Sequence, residues 1–251
     1  MAAGIEKFKE YFSQYKEQYT IIGGMACDLL MSEAEMDFRL TRDIDMVLIV
    51  EALTSEFANA FWDFIKDGGY EAWTKKDGKP TFYRFINPKA MDFPAMIELF
   101  ARPETSVDFE YHGHLTPLHI SDDISSLSAI LLNDDYYAFL KQGMTTSGEI
   151  SVLDAVHIIP LKMCAWLNLL EQKEKGEHVN EKDIRKHRQD VFRLFPLVNV
   201  GTKIVAPGQV YEDIQEFIKR LRDDSFHPRT IHIQRDKNSI LDIYQNIYIQ
   251  G

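Results

Sequence analysis

Two acidic residues and then an unbroken apolar run occupy residues 43–50, which read Asp-Ile-Asp-Met-Val-Leu-Ile-Val. A run of this kind is typical of a strand that is buried on both faces. Such a strand needs other elements packed above and below its sheet. The segment therefore predicts a domain in which helices cover a sheet, with two carboxylates at the beginning of a buried strand.

A short strand, a pair of glycines and a helix precede this segment. Tyr19–Ile22 is apolar, Gly23 and Gly24 end it abruptly, and Met25–Glu35 has apolar residues at helical spacing. Two amphipathic helices are predicted on either side of this unit, over Ile5–Gln18 and Leu53–Lys66.

Further strands are predicted downstream. Tyr70–Thr74 and Thr81–Ile86 flank an Asp-Gly turn at residues 76–79, which is typical of a hairpin. Ala95–Phe100 is a short apolar strand whose single charged residue is Glu98. A second hairpin is predicted from Tyr136–Gln142 and Glu149–Leu153.

After Pro160 the apolar spacing becomes helical. Pro160 suits the first turn of a helix, and Asn180 suits an N-cap. Helices are predicted over Leu161–Lys175, Glu181–Phe195, Tyr211–Arg222 and Asn238–Ile249. The predicted fold class is therefore α+β: a mixed sheet flanked by helices in residues 1–120, followed by a mainly α-helical domain in residues 121–251.

Charge and apolar content limit the partners. The 28 Lys and Arg residues against 39 Asp and Glu residues give a net charge of −11, which makes binding to duplex DNA unfavourable. A small phosphate compound that carries a divalent cation remains compatible, because the cation reverses the local sign of the charge.

The longest apolar run is far below the roughly 20 residues that cross a bilayer. Met1–Lys9 lacks the apolar stretch of a secretory signal, so we expect a cytoplasmic protein with no membrane partner.

Asp43 and Asp45 are the candidate metal ligands. Strand side chains alternate, so both carboxylates point to the same side. At 4 Å they would repel by roughly 4 kcal/mol at an effective dielectric constant near 20, and a divalent cation would remove that penalty. The alternative is that both acids face water where the strand begins.

Gly23 and Gly24 offer backbone N–H groups at a helix N-terminus, which suits phosphate oxygens. An ordinary sharp turn is the alternative. Arg39 and Thr41 would add a cation and a hydroxyl beside the acids. The alternative for Arg39 is a surface residue of a loop. Glu98 would join the two aspartates if its strand lies beside residues 43–50; otherwise it is an exposed acid on an edge strand. Three carboxylates are what a two-metal phosphoryl-transfer site needs.

The combined order is apolar strand, Gly-Gly, helix, Arg-x-Thr-x-Asp-x-Asp, apolar strand and a later strand with one Glu. This order resembles the nucleotidyltransferase superfamily with the DNA polymerase beta-like fold, over about residues 21–100. The segments IIGGMACDLL and FRLTRDIDMVLIV are most similar to the AbiEii-type abortive-infection nucleotidyltransferases, which include toxins of toxin–antitoxin systems. The resemblance implies that Asp43, Asp45 and Glu98 bind Mg²⁺ and that Gly23 and Gly24 hold the triphosphate. This chain has Glu where many relatives have Asp as the third carboxylate.

The resemblance also extends to residues of the second half. Similar proteins place a lysine on one helix and a Lys…Asp pair on a later helix, which here match Lys162, Lys186 and Asp190. An ordinary surface ion pair is the alternative for Lys186 and Asp190, which are i, i+4 neighbours. Lys162 has apolar sequence neighbours, so it needs an anion, and either a nucleotide phosphate or Asp190 would serve.

The expected activity is transfer of a nucleoside monophosphate from an NTP to a hydroxyl of an RNA end such as tRNA, a protein or a small molecule, with Mg²⁺ as cofactor. The resemblance further suggests a toxin with a cognate antitoxin. The alternative function is a catalytically idle nucleotide-binding or protein-interaction module of the same fold.

Overall fold

A mixed sheet organises the first part of the chain in the computed structural model, which describes residues 4–74, 80–102, 130, 131 and 133–251. Its strands lie in the order β3-β4-β5-β2-β1-β7-β6. Their bounds are β1 Tyr19–Ile22, β2 Asp43–Leu48, β3 Glu71–Thr74, β4 Pro80–Ile86, β5 Met96–Phe100, β6 Met144–Ser147 and β7 Ile150–Leu153. The Asp-Gly turn predicted at residues 76–79 lies outside the described residues.

Strand β2 lies in the middle of this sheet. It pairs antiparallel with β1 and parallel with β5. Ile44, Met46 and Leu48 are fully buried, whereas Asp43 and Asp45 are half-buried. The acidic start of β2 is therefore partly accessible to solvent, whereas its apolar remainder is buried.

Helices α1 Ile5–Phe12, α2 Gly23–Glu33 and α3 Ser55–Gly68 accompany the sheet. Aromatic rings join α1 to α3: the ring centroids of Phe12 and Phe64 are 5.2 Å apart, and those of Phe8 and Phe64 are 5.9 Å apart. Thr54 caps α3 by accepting a hydrogen bond from the amide of Phe57. This aromatic packing holds α1 against α3, because it buries large apolar surfaces.

The chain divides into two units that are not continuous in sequence. The first comprises Met1–Asp123 and Met144–Asp154, and the second comprises Ile124–Gly143 and Ala155–Gly251. The hairpin β6–β7 thus belongs to the first unit, although it follows the boundary expected near residue 120.

The second unit is mainly helical. Its helices are α4 Asp134–Gln142, α5 Ala155–Glu174, α6 Glu181–Arg193, α7 Gly208–Asp223 and α8 Lys237–Ile247. A parallel pair of short strands, β8 Ile204–Ala206 and β9 Tyr248–Gln250, completes it. Trp166 and Phe217 meet edge to face with centroids 5.1 Å apart. The predicted α+β class, with a mixed sheet flanked by helices and a mainly helical C-terminal region, is confirmed.

The prediction of a strand over residues 136–142 is wrong, because these residues form helix α4. Asn133 caps this helix by accepting hydrogen bonds from the amides of Asp135 and Tyr136, at 2.9 and 3.2 Å. Asp134 and Asp135 occupy the first turn, where negative charge complements the helix dipole. The hairpin in this region forms instead between β6 and β7.

The prediction that Pro160 lies in the first turn of its helix is also wrong. Helix α5 begins at Ala155, so Pro160 lies within it. Proline has no N–H to donate to the carbonyl four residues earlier. That carbonyl belongs to Val156, and it accepts a hydrogen bond of 2.7 Å from the hydroxyl of Tyr248. The tyrosine therefore replaces the donor that the proline removes.

The last predicted helix, over Asn238–Ile249, ends earlier than expected. Helix α8 ends at Ile247, and Tyr248 begins strand β9. Across the described part of the chain, none of the helices combines the length and apolar character needed to span a membrane.

Candidate functional site

Gly23 and the carboxylate of Asp45 lie against each other at the junction of β1 and α2. Gly23 has φ +70°, in the left-handed region that favours glycine. A Cβ at this position would lie 1.8 Å from Asp45 Oδ2. The space that the missing side chain would fill is therefore already taken by the carboxylate, and only glycine fits this close approach.

The first turn of α2 begins without a side-chain cap, because the N-cap residue is Ile22. Uncapped N–H groups and the positive end of the helix dipole favour an anion at this point. One turn into the helix, the thiol of Cys27 donates a hydrogen bond of 2.9 Å to the carbonyl of Gly23. This contact ties the glycine turn to the body of α2.

Arg39 and Thr41 lie beside the second glycine of the turn. A Cβ on Gly24 would lie 3.1 Å from Arg39 Nη2 and 3.3 Å from Thr41 Oγ1. Both side chains are half-buried, so Arg39 is less exposed than the surface-loop alternative predicts. The structure thus brings the predicted cation and hydroxyl to the glycine turn.

One acid near this turn was missed by the sequence reasoning. Asp28 lies on α2, and burial raises the pKa of its carboxyl group, while the charge of Arg39 acts in the opposite direction. Its spacing of four residues from Gly24 places it one turn further along the same helix. The four-residue spacing is visible in the sequence, so it could have indicated that Asp28 lies on the same side of the helix as Gly24.

Glu98 lies directly beside Asp45. In the parallel pairing of β2 with β5, Asp43 is opposite Met96 and Asp45 is opposite Glu98. Paired residues share a face of the sheet, and Asp43 shares it too because it is two residues from Asp45. The strand of Glu98 therefore lies beside residues 43–50, as the grouping of Glu98 with the two aspartates requires.

The next residue in this row is Arg84, which the sequence reasoning also missed. Arg84 on β4 is opposite Glu98 in the antiparallel pairing with β5. Its Nε and Nη2 atoms both contact Glu98 Oε1. The available signal was that Arg84 is the single charge in the predicted strand Thr81–Ile86, as Glu98 is in its own strand.

The donor set can be tested against a divalent cation. Carboxylate oxygens are the ligands that Mg²⁺ prefers, and it commonly takes one or two from the protein together with phosphate oxygens. Asp43 and Asp45 fit that requirement in type and in sharing one face. Among the residues that the structure describes, no group of three or more His, Cys, Asp or Glu side chains is placed to hold a metal ion. The three-carboxylate metal site stays a prediction.

The remaining predicted residues lie in the second unit. Lys162 on α5 and Asp190 on α6 form an ion pair with 3.3 Å between Nζ and Oδ2, and their side chains are 7% and 0% exposed. Arg193 also approaches Asp190, at 3.4 Å. Lys186 lies on α6 and is exposed. Asp190, one of the two anions considered for Lys162, is in contact with it.

Comparisons with known proteins add little to this geometry. No protein-family model matches the chain, and no curated protein matches it. Among solved structures, the chain is similar to the antibiotic-resistance factor ANT(2'')-Ia, with 13% identity and a TM-score of 0.35 over 87% of this chain and 89% of that chain. A TM-score of this size does not define a shared fold.

Proposed function

We propose that this chain is a nucleotidyltransferase that depends on a divalent cation, Mg²⁺ by preference. It would transfer a nucleoside monophosphate from an NTP to an acceptor hydroxyl and release pyrophosphate. The observation that carries the proposal is the close approach of Gly23 to the Asp45 carboxylate, with Arg39 and Thr41 beside Gly24. This closeness supports the proposal, because a turn that could hold phosphates then lies beside a candidate cation ligand.

The phosphate tail of the NTP would lie at the start of α2. Backbone N–H groups of Gly23 and Gly24 would donate to its oxygens, and Arg39 would neutralise part of its charge. Thr41 would add a hydroxyl donor. Backbone N–H groups at the start of a helix already point outward before a substrate binds, which favours binding because little reorganisation is needed.

Asp43 and Asp45 would hold the cation, which when bound neutralises charge on the phosphates and on the leaving pyrophosphate. In the reaction, the acceptor oxygen forms a bond to the α-phosphorus as the bond between that phosphorus and the pyrophosphate oxygen breaks. Glu98 would accept the proton that the acceptor hydroxyl loses. In the two-metal form that the resemblance implies, Glu98 would also be a metal ligand.

Residues of the second unit would have supporting roles. Lys162 would bind a nucleotide oxygen or remain the partner of Asp190, and Asp190 would orient it. Lys186 is exposed and would contribute positive charge toward the nucleotide. These roles rest on the resemblance to AbiEii-type proteins.

The test is transfer of label from α-³²P-labelled NTPs with Mg²⁺ to fractions of small molecules, RNA and protein. Replacing both Asp43→Asn and Asp45→Asn should lower labelling by more than about 100-fold, as expected when charge-stabilising groups of a transition state are lost. Asp63→Asn, an exposed acid on α3, is the matched control and should leave labelling unchanged. Equal labelling by the double variant would contradict the proposal.

The same experiment separates the alternatives. Tight NTP binding by calorimetry without pyrophosphate release would instead support an idle nucleotide-binding module. The labelled fraction identifies the acceptor, and the net charge of −11 favours small or compact acceptors over long RNA. A toxin would arrest growth when its expression is induced, and the double variant would not; rescue by a neighbouring gene product would identify an antitoxin.

A further inference from the structure

Arg84, Glu98 and Asp45 form a row across three adjacent strands. The registers place Asp45 opposite Glu98 on β5 and Glu98 opposite Arg84 on β4. Side chains at paired positions project from the same face of a sheet. An arginine therefore shares the face that carries the candidate cation ligands.

The ion pair between Arg84 and Glu98 is largely shielded from water. The side chain of Glu98 is 12% exposed and that of Arg84 is 28% exposed. Two guanidinium nitrogens of Arg84 contact the same carboxylate oxygen, Glu98 Oε1. A charge pair in such surroundings is weakened less by solvent than a surface pair. Removing one partner would leave the other charge poorly compensated.

We propose that the centre binds one divalent cation, on Asp43 and Asp45, and that the guanidinium of Arg84 takes the place of a second cation beside Glu98. This inference rests on the proposed nucleotidyl transfer and refines it. A second cation at Glu98 would lie against the positive charge of Arg84, which arginine does not lose at any ordinary pH. A guanidinium also offers several N–H donors to phosphate oxygens, so it can neutralise charge there itself.

The experiment counts cations by a spectroscopic signal, independently of turnover. Mn²⁺ is bound to the full chain together with a non-hydrolysable NTP analogue, and the complex is examined by electron paramagnetic resonance and by bound-metal analysis. The wild-type complex should hold one Mn²⁺ with the signal of an isolated ion. Arg84→Met should release Glu98 and admit a second Mn²⁺, giving the exchange-coupled signal of a close pair. Arg42→Met removes an exposed positive charge next to Asp43 and should leave the count at one.

A second variant keeps the inference testable if Arg84→Met does not fold. Glu98→Gln should still bind one Mn²⁺ with the analogue, because Glu98 is not needed as a ligand. A coupled pair of ions in the wild-type complex, lost in Glu98→Gln, would overturn the inference and leave nucleotidyl transfer standing. A count of one in folded Arg84→Met would also overturn it. Absence of both Mn²⁺ and analogue binding in every protein would instead contradict the proposed function itself.

Discussion

Asp45 Oδ2 occupies the position that a side chain on Gly23 would need, at 1.8 Å from the ideal Cβ site. The position of the Asp45 carboxylate therefore requires glycine at residue 23. Gly23→Ala must either displace the carboxylate or shift the start of α2. We expect a loss of NTP binding together with a loss of folding free energy, which can be measured by calorimetry and by urea denaturation.

Gly148 supplies the control for this prediction. It has φ +57°, and a Cβ on it would meet nothing within 4 Å. Gly148→Ala should therefore cost only the strain of a left-handed alanine, about 1–2 kcal/mol. Gly23→Ala should cost roughly 1–3 kcal/mol more, as is typical when a side chain is forced into filled space. Equal losses in the two variants would show that the Asp45 contact does not limit residue 23.

Much of this site could be predicted from sequence because it lies within short segments. Gly23 and Gly24 end one strand, and Asp43 and Asp45 begin another, so local patterns locate both. The structure adds that the two strands are antiparallel neighbours, with Ile22 opposite Asp45. Antiparallel pairing puts the end of β1 beside the start of β2, so the glycines meet the acids.

Arg84 could not be assigned to the site in this way. Its role depends on the register between β4 and β5, which aligns it with Glu98. An alternating pattern shows which residues share a face of one strand, but not which residues oppose each other on two strands. Helix α4 was missed for a different reason. Its aromatic residues Tyr136, Tyr137 and Phe139 favour strands, whereas the cap at Asn133 favours a helix.

The buried pair of Lys162 and Asp190 makes a prediction about stability. Asp190→Asn leaves the Lys162 charge with a neutral partner in an enclosed position, and such losses typically cost about 3–5 kcal/mol. The double variant Lys162→Met, Asp190→Leu should recover most of this, since Arg193 is 27% exposed and can turn toward water. Urea denaturation of the wild type and of the two variants measures the loss and the recovery.

Lys175→Met is the control for the buried pair. Lys175 forms an exposed pair with Glu171, with side chains 62% and 59% exposed. Loss of such a pair should change the folding free energy very little, because water screens an exposed ion pair. If Asp190→Asn costs no more than Lys175→Met, the buried pair does not stabilise the second unit.

We expect the contribution of Tyr11 to stability to change at alkaline pH. Partial burial, followed by the 2.6 Å hydrogen bond to Asp67, raises the pKa of the Tyr11 hydroxyl from 10.0 to about 12. A raised folded-state pKa means that the contribution to stability is complete below pH 10 and is lost as the pH rises through about 12. Carbon-13 labelling at tyrosine Cζ, with Tyr11→Phe to assign the signal, should give a midpoint near 12. A midpoint near 10 would contradict the prediction, and Asp67→Asn should lower the midpoint.

The rate at which a thiol reagent labels Cys27 measures how often the glycine turn opens. Its side chain is fully buried and donates to the carbonyl of Gly23, so a thiol reagent can reach it only when the start of α2 opens. Cys164 lies buried in the second unit, where burial raises the pKa of its thiol. A ligand that binds only the closed form suppresses opening in proportion to its concentration over Kd. With Mg²⁺ and NTP at about 100 times Kd, labelling of Cys27 should therefore slow by about 100-fold.

Cys164 provides the internal comparison for this measurement, because it lies on α5 rather than on α2. Mass spectrometry of the two cysteine-containing peptides over time should show a large slowing for Cys27 and a much smaller one for Cys164. In Gly23→Ala the NTP should no longer protect Cys27, because the turn that would bind the phosphates is displaced. Equal protection of both thiols would mean that NTP stabilises the chain without acting at the turn. Unchanged labelling of Cys27 at saturating NTP would place the nucleotide elsewhere.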